Sequence, residues 1–237
     1  MKIGLFTDAH YCHAESLDNT RRPSLSLMKI KEAMGKFKNE KVDACFCLGD
    51  LTDHAPEDSK ENVVSCFKEA LSLILSYNIP FYFVPGNHDY LMMSGSEVEK
   101  ELKQSLPPKI VSFDEYDFIM LDANYRTSGK RFDEEGVVWT DSNLPKWQVD
   151  FLSDTLKKSQ KKCIVMIHEN LDPNIVLSHL VKNGEVARKV IKDSGKVKMV
   201  IQGHYHRGAN NIVDGIQYLT VPAMCEGTKN SFLILDL

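Results

Sequence analysis

The chain has 237 residues, of which 43% are hydrophobic and 26% are charged, as in ordinary globular proteins. This length fits one α/β domain, and we expect a single domain over residues 1–237 without a linker. The formal net charge of −4 lacks the basic surplus that is typical of proteins that bind nucleic acid polymers.

Short apolar runs and stretches of helical periodicity alternate along the chain. Apolar runs predict strands at 2–7, 44–48, 81–84, 118–121, 163–167 and 198–201. Apolar residues at helical spacing predict helices through 27–37 and 63–74, Pro145 marks the first turn of another, and a further helix covers 185–192. Asp214-Gly215 predicts a two-residue hairpin, and 231–237 a terminal strand. This order indicates mixed sheets covered by helices.

Side chains that can bind metals directly follow five of these strands. They are Asp8 with His10, then Asp50, Asn87, His168, and finally His204 with His206. Because ligands gather at the carboxyl ends of strands in α/β sheets, we expect these groups to meet at one edge of the molecule. Carboxylate, imidazole and amide ligands suit Mn²⁺, Fe²⁺, Zn²⁺ or Co²⁺. Seven candidates are enough for two ions with one bridging carboxylate.

Each of these motifs alone has an ordinary explanation. Gly-Asp is a common turn, Gly-Asn-His-Asp can form a β-turn, and His-x-His can lie on a surface. Their occurrence at five strand ends in one chain favours the metal site over five coincidences. We expect Gly49, Gly86 and Gly203 to let the backbone turn sharply before a ligand.

The ordered set D-x-H, G-D, G-N-H-D, H and G-H-x-H between Asp8 and His206 resembles the signature of the calcineurin-like metallophosphoesterase superfamily. This resemblance implies a four-layer α/β/β/α sandwich of two mixed β-sheets flanked by helices, with two divalent metal ions, Mn, Fe or Zn, at its edge. It also implies that His88 is not a ligand but contacts the substrate phosphate and assists the leaving group. The implied ligands are Asp8, His10 and His206 on one ion, Asn87, His168 and His204 on the other, and Asp50 on both.

Further segments resemble two branches of this superfamily. Residues 21–24, 121–123 and 203–219 look like those of the Mn²⁺-dependent ADP-ribose/CDP-alcohol diphosphatases. The length and motif order are similar to those of the class III cyclic-nucleotide phosphodiesterases. The chain departs from many relatives at His168-Glu169-Asn170, and Asp50 is not followed by the Asp-Arg-Gly of protein Ser/Thr phosphatases. The resemblance therefore implies a small phosphorylated substrate and not a phosphoprotein. The bond that is cleaved would be a phosphodiester or a diphosphate.

The expected reaction is hydrolysis by a hydroxide that two metal ions make available near neutral pH. His88 is expected to stabilise the developing charge or protonate the leaving oxygen. Asp89 is expected either to orient His88 or a ligand imidazole, or to stabilise the turn. Arg21 and Arg22 are candidates for clamping a distal phosphate, with a solvated face as the alternative.

Other polar and aromatic residues have two interpretations each. His13 and His54 are either residues that line the pocket or solvated loop residues, and His179 is expected to be structural or exposed. Tyr90, Tyr205 and Phe132 are either stacking partners of a substrate ring or packing residues.

The cysteines and the N-terminus bear on the location of the protein. Six cysteines without a CxxC pair indicate buried, reduced thiols in a cytoplasmic protein. The N-terminus lacks a signal-peptide pattern, and no apolar run is long enough to span a bilayer, so we expect no membrane association. No feature of the sequence indicates an oligomeric state.

Two other functions remain compatible with the sequence. One is a phosphomonoesterase with the same metal site. The other is a non-catalytic scaffold that keeps the fold and binds proteins. A scaffold could lose ligands freely, whereas this chain keeps all seven ligands and His88, which favours an enzyme.

Overall fold

The computed structural model describes all residues, 1–237, and contains two β-sheets. The first sheet consists of β1 (Lys2–Phe6), β2 (Ala44–Cys47), β3 (Phe81–Phe83) and β10 (Leu233–Asp236) in the order β10-β1-β2-β3. The first three strands in the chain are parallel, and β10 pairs antiparallel with β1. The carboxyl ends of β1, β2 and β3 therefore share one edge.

The second sheet has six strands. These are β4 (Lys109–Ser112), β5 (Tyr116–Met120), β6 (Lys162–Met166), β7 (Val197–Gln202), β8 (Ala209–Val213) and β9 (Ile216–Thr220), in the order β4-β5-β6-β7-β9-β8. Strands β5, β6, β7 and β9 are parallel, whereas β4 and β8 form antiparallel edges.

Six helices cover the outer faces of the sheets. They are α1 (Ser26–Asn39), α2 (Lys60–Leu75), α3 (Gly95–Leu102), α4 (Phe132–Glu135), α5 (Lys146–Lys158) and α6 (Gly184–Ser194). Buried residues of the first four helices pack on the first sheet, and those of α5 and α6 pack on the second. None of the helices has the length and apolar character needed to cross a lipid bilayer.

A third layer of apolar side chains lies between the two sheets. Phe46 of β2 and Phe118 of β5 stack there with their ring centroids 5.0 Å apart, and Ile3 and Met166 belong to the same cluster. Alternate strand residues thus face either the other sheet or a helix layer, because successive side chains point to opposite faces. The structure confirms the predicted α/β/β/α sandwich.

Local patterns explain most of these elements. Ile30, Met34 and Phe37 are fully buried on one face of α1, as their spacing predicts. Asp214 and Gly215 both have positive φ, 53° and 76°, which a type I′ hairpin turn requires. All six cysteines are free and buried.

The sequence patterns missed three elements, β4, α3 and the four-residue α4, and placed the ends of others one to three residues away. Strand β4 is a half-buried edge strand, and α3 is short, so neither carries a strong apolar pattern. A capping box between Ser94 and Glu97 opens α3 and was the available sequence signal. Helix α5 begins at Lys146, directly after Pro145.

Candidate metal centre

The loops after β1 and β2 run side by side at the shared edge of the sheets. The N–H of Asp8 donates to the carbonyl of Gly49, and the N–H of His10 donates to that of Asp50, both at 2.9 Å. From the second sheet, the Gly203 N–H donates to the carbonyl of His168 at 3.0 Å. These backbone bonds bring residues from distant parts of the chain to one place.

Several of the predicted ligands have strained backbones. Asp8, His10, Asp50 and His204 have φ values of 50°, 47°, 51° and 64°. Non-glycine residues adopt this left-handed region uncommonly, at a cost of about 1–3 kcal/mol each, and do so in turns, at helix ends and at functional sites. Four of the seven predicted ligands are thus held in conformations that ordinary folding does not favour.

The main role of the glycines beside the predicted ligands is to let neighbouring atoms approach the backbone closely. Only Gly49 has a positive φ, 101°. A Cβ on Gly86 would lie 2.2 Å from Oδ1 of Asp50, and one on Gly203 would lie 2.2 Å from the hydroxyl of Thr7. The expectation of a sharp turn was therefore wrong for Gly86 and Gly203, where the approach of a neighbouring side chain excludes any larger residue.

In each of two buried carboxylates, one oxygen accepts a hydrogen bond from the protein and the other oxygen accepts none. Oδ1 of Asp50 accepts the backbone N–H of His88 at 2.7 Å, while Oδ2 lies 3.3 Å from Nε2 of His168 and 3.5 Å from Nε2 of His10. Oδ2 of Asp8 accepts from the Thr7 hydroxyl at 2.6 Å, while its Oδ1 has no hydrogen-bond partner. Asp50 therefore lies between imidazoles of both predicted ligand groups, and Oδ1 of Asp8 is 4.0 Å from Nε2 of His168.

Three imidazoles are oriented by hydrogen bonds at Nδ1. Nδ1 of His10 donates to Asp53 at 2.9 Å. Nδ1 of His168 donates to the carbonyl of Leu48 at 2.6 Å, and Nδ1 of His206 donates to Glu226 at 2.6 Å. Each bond leaves the lone pair of Nε2 facing the site, which is the usual arrangement of metal-ligating histidines.

Four of the nine buried side-chain atoms without a hydrogen-bond partner belong to the predicted ligands. Oδ1 of Asp8, Oδ1 of Asn87, Nε2 of His168 and Nε2 of His204 are all inaccessible and unpaired. An unsatisfied buried polar group costs about 1–3 kcal/mol, so such a cluster is unfavourable unless it coordinates a cation. The donor set of oxygen and imidazole nitrogen fits a divalent transition metal.

The spacing of the donor atoms also fits metal coordination. Nε2 of His10 and Nε2 of His206 are 3.3 Å apart, and Oδ1 of Asp8 lies 3.5 Å from the latter. Imidazole nitrogens at ~2.0 Å from a tetrahedral ion would be separated by about 3.3 Å. On the other side of Asp50, the donor atoms of Asp50, His168 and His204 all lie within 4.8 Å of one another.

The electrostatic field of the site favours positive charge. Burial alone raises the pKa of Asp50, but the imidazoles of His168, His88 and His10 outweigh it and hold the pKa well below its usual value. Burial lowers the pKa of His10, yet the hydrogen bond to Asp53 and the nearby carboxylate of Asp8 raise it overall to about 10. Ionised carboxylates in this interior therefore stabilise cationic neighbours.

His88 lies beside these groups and faces solvent. Its Nδ1 donates to Oδ1 of Asp53 at 2.9 Å, and 22% of its side chain is exposed. Asp53, and not Asp89, contacts His88. The carboxylate of Asp89 instead accepts the backbone N–H groups of Asp50, Leu51 and Gly86, which is the alternative turn-stabilising role.

An open cavity of about 540 Å³ lies over the site. Asp50, Asn87, His88, His204 and His206 line it together with residues that sequence patterns did not select. The latter include Trp139, Val176, Arg207 and Glu226. Trp139 packs edge-on against His204 with their ring centroids 5.6 Å apart, although no periodic pattern marks its segment.

The arginines and histidines that were expected near the substrate differ in position. Arg21 lines the cavity but is paired with Asp18 at 2.9 Å and Asp53 at 3.0 Å. Arg22 does not line it and donates to backbone carbonyls and to a serine hydroxyl of its own loop. His54 lies outside the lining, 3.6 Å from Asp53, and His13 is exposed.

Three aromatic candidates and His179 also have definite positions. Tyr205 and His179 line the cavity, with ring centroids 5.3 Å apart. Tyr90 and Phe132 belong to the buried core, as their packing interpretation predicts. We expected His179 to be structural or exposed and did not place it at the cavity, because local sequence patterns do not reveal tertiary contacts.

Comparisons with known proteins identify the family of the chain. A model of the calcineurin-like phosphoesterase family matches residues 1–208. The chain is 28% identical over 192 residues to a protein of Arcobacter nitrofigilis named probable glycerophosphodiester phosphodiesterase, a match that covers 76% of this chain and 62% of that relative. It is 19% identical over 208 residues to a probable cyclic nucleotide phosphodiesterase of Psychrobacter arcticus, covering 83% of this chain and 67% of that protein.

A solved structure shares the architecture. The crystal structure of a dimetal phosphatase from Danio rerio superposes with a TM-score of 0.85 at 18% identity, covering 99% of this chain and 91% of that chain. The Arcobacter match, by contrast, spans less than two thirds of that relative's length. The family match, the sandwich and the clustered ligands lead to one conclusion: the chain belongs to the calcineurin-like phosphoesterase family, a family of metal-dependent phosphohydrolases.

Proposed function

We propose that this protein is a two-metal phosphohydrolase that cleaves a phosphodiester or diphosphate bond in a small molecule. The observation that carries this proposal is the set of buried, unpaired donor atoms on the floor of an open cavity. Family membership supports the reaction class. The proposed ligands are Asp8, His10 and His206 for one ion, Asn87, His168 and His204 for the other, and Asp50 for both.

The ions would supply a hydroxide near neutral pH and offset negative charge on the phosphate. The remaining contributions come from the protein. His88 faces the cavity, and its Nδ1 is fixed by Asp53, so its Nε2 is available to the substrate. Burial raises the pKa of Asp53, but hydrogen bonds from His10 and His88 hold it well below its usual value. The carboxylate of Asp53 thus orients His88, whose Nε2 is placed to act on the leaving oxygen as a general acid.

The cavity favours a substrate larger than a simple phosphate. Its volume of about 540 Å³ lies within the range of ~300–1,000 Å³ typical of small-molecule sites. Arg207 is exposed at the cavity and forms no ion pair, so its guanidinium is free to contact a second phosphate. Trp139, which is 40% exposed, offers a ring face to a base. These features support a nucleotide derivative as the substrate class.

The names of the relatives point the same way. The Arcobacter and Psychrobacter proteins are both named as phosphodiesterases. A third relative, from Aromatoleum aromaticum, is named UDP-2,3-diacylglucosamine hydrolase and is 23% identical over 188 residues, covering 73% of this chain and 72% of that protein. We extend diester or diphosphate hydrolysis to this chain as part of the proposal.

A panel of phosphoesters with Mn²⁺ tests the proposal. It contains ADP-ribose, CDP-alcohols, cyclic nucleotides, bis-p-nitrophenyl phosphate and p-nitrophenyl phosphate. We expect hydrolysis of at least one diester or diphosphate with a higher kcat/KM than that of the monoester. A preference for p-nitrophenyl phosphate would identify a phosphomonoesterase instead. Absence of bound transition metal together with absence of hydrolysis would support the scaffold.

We further propose that residues 1–237 form one domain of a cytoplasmic enzyme that does not act on nucleic acid polymers. All six cysteines are free, a state that a reducing compartment preserves. The net charge of −4 lacks the basic surplus that is typical of proteins that bind a phosphate backbone.

A further inference from the structure

The thiol of Cys225 lies next to two of the proposed ligands. Its Sγ and the ring nitrogens of His10 and His206 all lie within 4.8 Å of one another, and the side chain is fully buried. We propose that Cys225 is an additional ligand of the ion held by Asp8, His10 and His206, and that it makes this position prefer Zn²⁺, Co²⁺ or Fe²⁺ over Mn²⁺. This inference rests on the metal centre of the proposed function.

The surroundings of Cys225 differ from those of the other cysteines. Cys12, Cys45, Cys47, Cys66 and Cys163 all belong to the hydrophobic clusters of the core. Cys225 belongs to none of the three clusters, although it is equally buried. Cys225 therefore lies outside the apolar clusters in which the other five buried thiols pack.

A second observation points to the same position. Oδ1 of Asp8 is buried and unpaired, and it lies 3.5 Å from Nε2 of His206 and 3.7 Å from Nε2 of His10. One carboxylate oxygen thus faces two imidazole nitrogens, and the sulfur lies within 4.8 Å of ring nitrogens of the same two histidines. Together they form an oxygen, nitrogen, nitrogen and sulfur donor set, which is the chemistry of a zinc-type site.

The backbone holds Cys225 against the residue that supplies the carboxylate. The N–H of Cys225 donates to the carbonyl of Asp8 at 2.9 Å, and the N–H of Met224 donates to that of Thr7 at 3.0 Å. The ammonium of Lys29, which is 1% exposed, donates to the carbonyls of Met224 at 2.7 Å and Gly227 at 2.9 Å. A buried ammonium with several carbonyl partners fixes this loop firmly, so the thiol keeps its place beside the imidazoles.

Sulfur changes which ion the site prefers. Thiolate is a softer ligand than carboxylate or water and selects zinc-like ions, whereas Mn²⁺ prefers oxygen. Coordination replaces the S–H bond with a sulfur–metal bond and releases the proton to solvent. The neighbouring position, with Asn87, His168 and His204, has no thiol, so the two positions differ in preference.

Cobalt spectroscopy tests this ligand independently of activity. The wild type, Cys225→Ser and the matched control Cys163→Ser are loaded with Co²⁺ and their near-ultraviolet spectra are recorded. We expect a sulfur-to-cobalt charge-transfer band in the wild type and in Cys163→Ser, and its loss in Cys225→Ser. In competition experiments, Cys225→Ser should lose its preference for Zn²⁺ over Mn²⁺ by about tenfold or more.

X-ray absorption of the zinc-loaded wild type keeps the test decisive even where a variant fails to fold. A sulfur scatterer at about 2.3 Å supports the proposal. A zinc shell of only oxygen and nitrogen, in a protein that binds two ions and hydrolyses phosphoesters, overturns the role of Cys225 and leaves the proposed function intact. Failure of the wild type to bind any transition metal would overturn both.

Discussion

The Nδ1–H of His88 donates to Oδ1 of Asp53 at 2.9 Å. The other oxygen of the same carboxylate accepts from Nδ1 of His10 at 2.9 Å and from Arg21 at 3.0 Å. One buried aspartate therefore orients the proposed proton donor and a proposed metal ligand together. This coupling means that the two imidazoles keep a fixed relative position, which orientation-dependent catalysis requires.

Asp53→Asn should lower kcat by about 10–100-fold at saturating metal, because the amide cannot hold both imidazoles as a carboxylate does. In a His88→Ala background the same substitution should have a much smaller effect on kcat, since residues that act as one unit are not additive. Steady-state kinetics of the four proteins measures this. Equal effects in both backgrounds would show that Asp53 does not act through His88.

His88→Ala should lower kcat by about 100–10,000-fold, as expected for loss of a general acid. His88 is not among the proposed ligands, so metal content should stay at the wild-type level. Metal analysis by mass spectrometry and kinetics together check this prediction. His13→Ala, at a side chain that is 61% exposed, is the control and should resemble the wild type. Metal loss as the main defect of His88→Ala would make His88 a ligand.

Asp50→Asn should reduce metal occupancy strongly. The amide oxygen can still accept the backbone N–H of His88, so the substitution chiefly removes the negative charge between the imidazoles of His10 and His168. Metal equivalents per chain after dialysis measure the effect, with the exposed Asp154→Asn as control. A variant that retains two equivalents and full activity would contradict the bridging role.

Removal of metal by a chelator should lower the melting temperature of the wild type. An ion that binds only the folded state stabilises it by about 2.7 kcal/mol at a concentration 100 times its Kd. The buried carboxylates of Asp8 and Asp50 carry this stabilisation, so Asp50→Asn should show a smaller shift. Thermal melts with chelator, and with Mn²⁺ added back, measure it. Identical melting temperatures in all conditions would show that bound metal does not stabilise the folded state.

Residues directly after strands could be predicted, and those in long loops could not. Asp8, Asp50 and His168 follow buried strands, whose apolar runs and carboxyl-end position are visible in the sequence. Cys225 and Trp139 reach the site only through tertiary contacts. Cys225 lies in a loop that is held by Lys29, which donates to the carbonyl of Met224 from nearly two hundred residues away in the chain. No local sequence pattern predicts a contact over that separation. The edge strand β4 was missed for a related reason, since half-buried strands lack a continuous apolar run.

Arg207 and Arg22 provide the sharpest test of substrate recognition. Arg207 lines the cavity and has no carboxylate partner, whereas Arg22 is used within its own loop, donating to the carbonyls of Asn19 and Arg21. Arg207→Ala should raise KM for a diphosphate such as ADP-ribose by about tenfold, the equivalent of ~1.4 kcal/mol, because a charge-assisted contact to the second phosphate is lost.

The matched variant Arg22→Ala should leave KM for ADP-ribose near the wild-type value, provided that its melting temperature is unchanged. Bis-p-nitrophenyl phosphate, which has one phosphate, should be hydrolysed with unaltered KM by Arg207→Ala. If Arg22→Ala raised KM for ADP-ribose more than Arg207→Ala did, the loop before α1 would be the part of the protein that binds the second phosphate. An equal loss on both substrates would mean that Arg207 acts on the cleaved phosphate, or on the general field of the cavity, and not on a second phosphate.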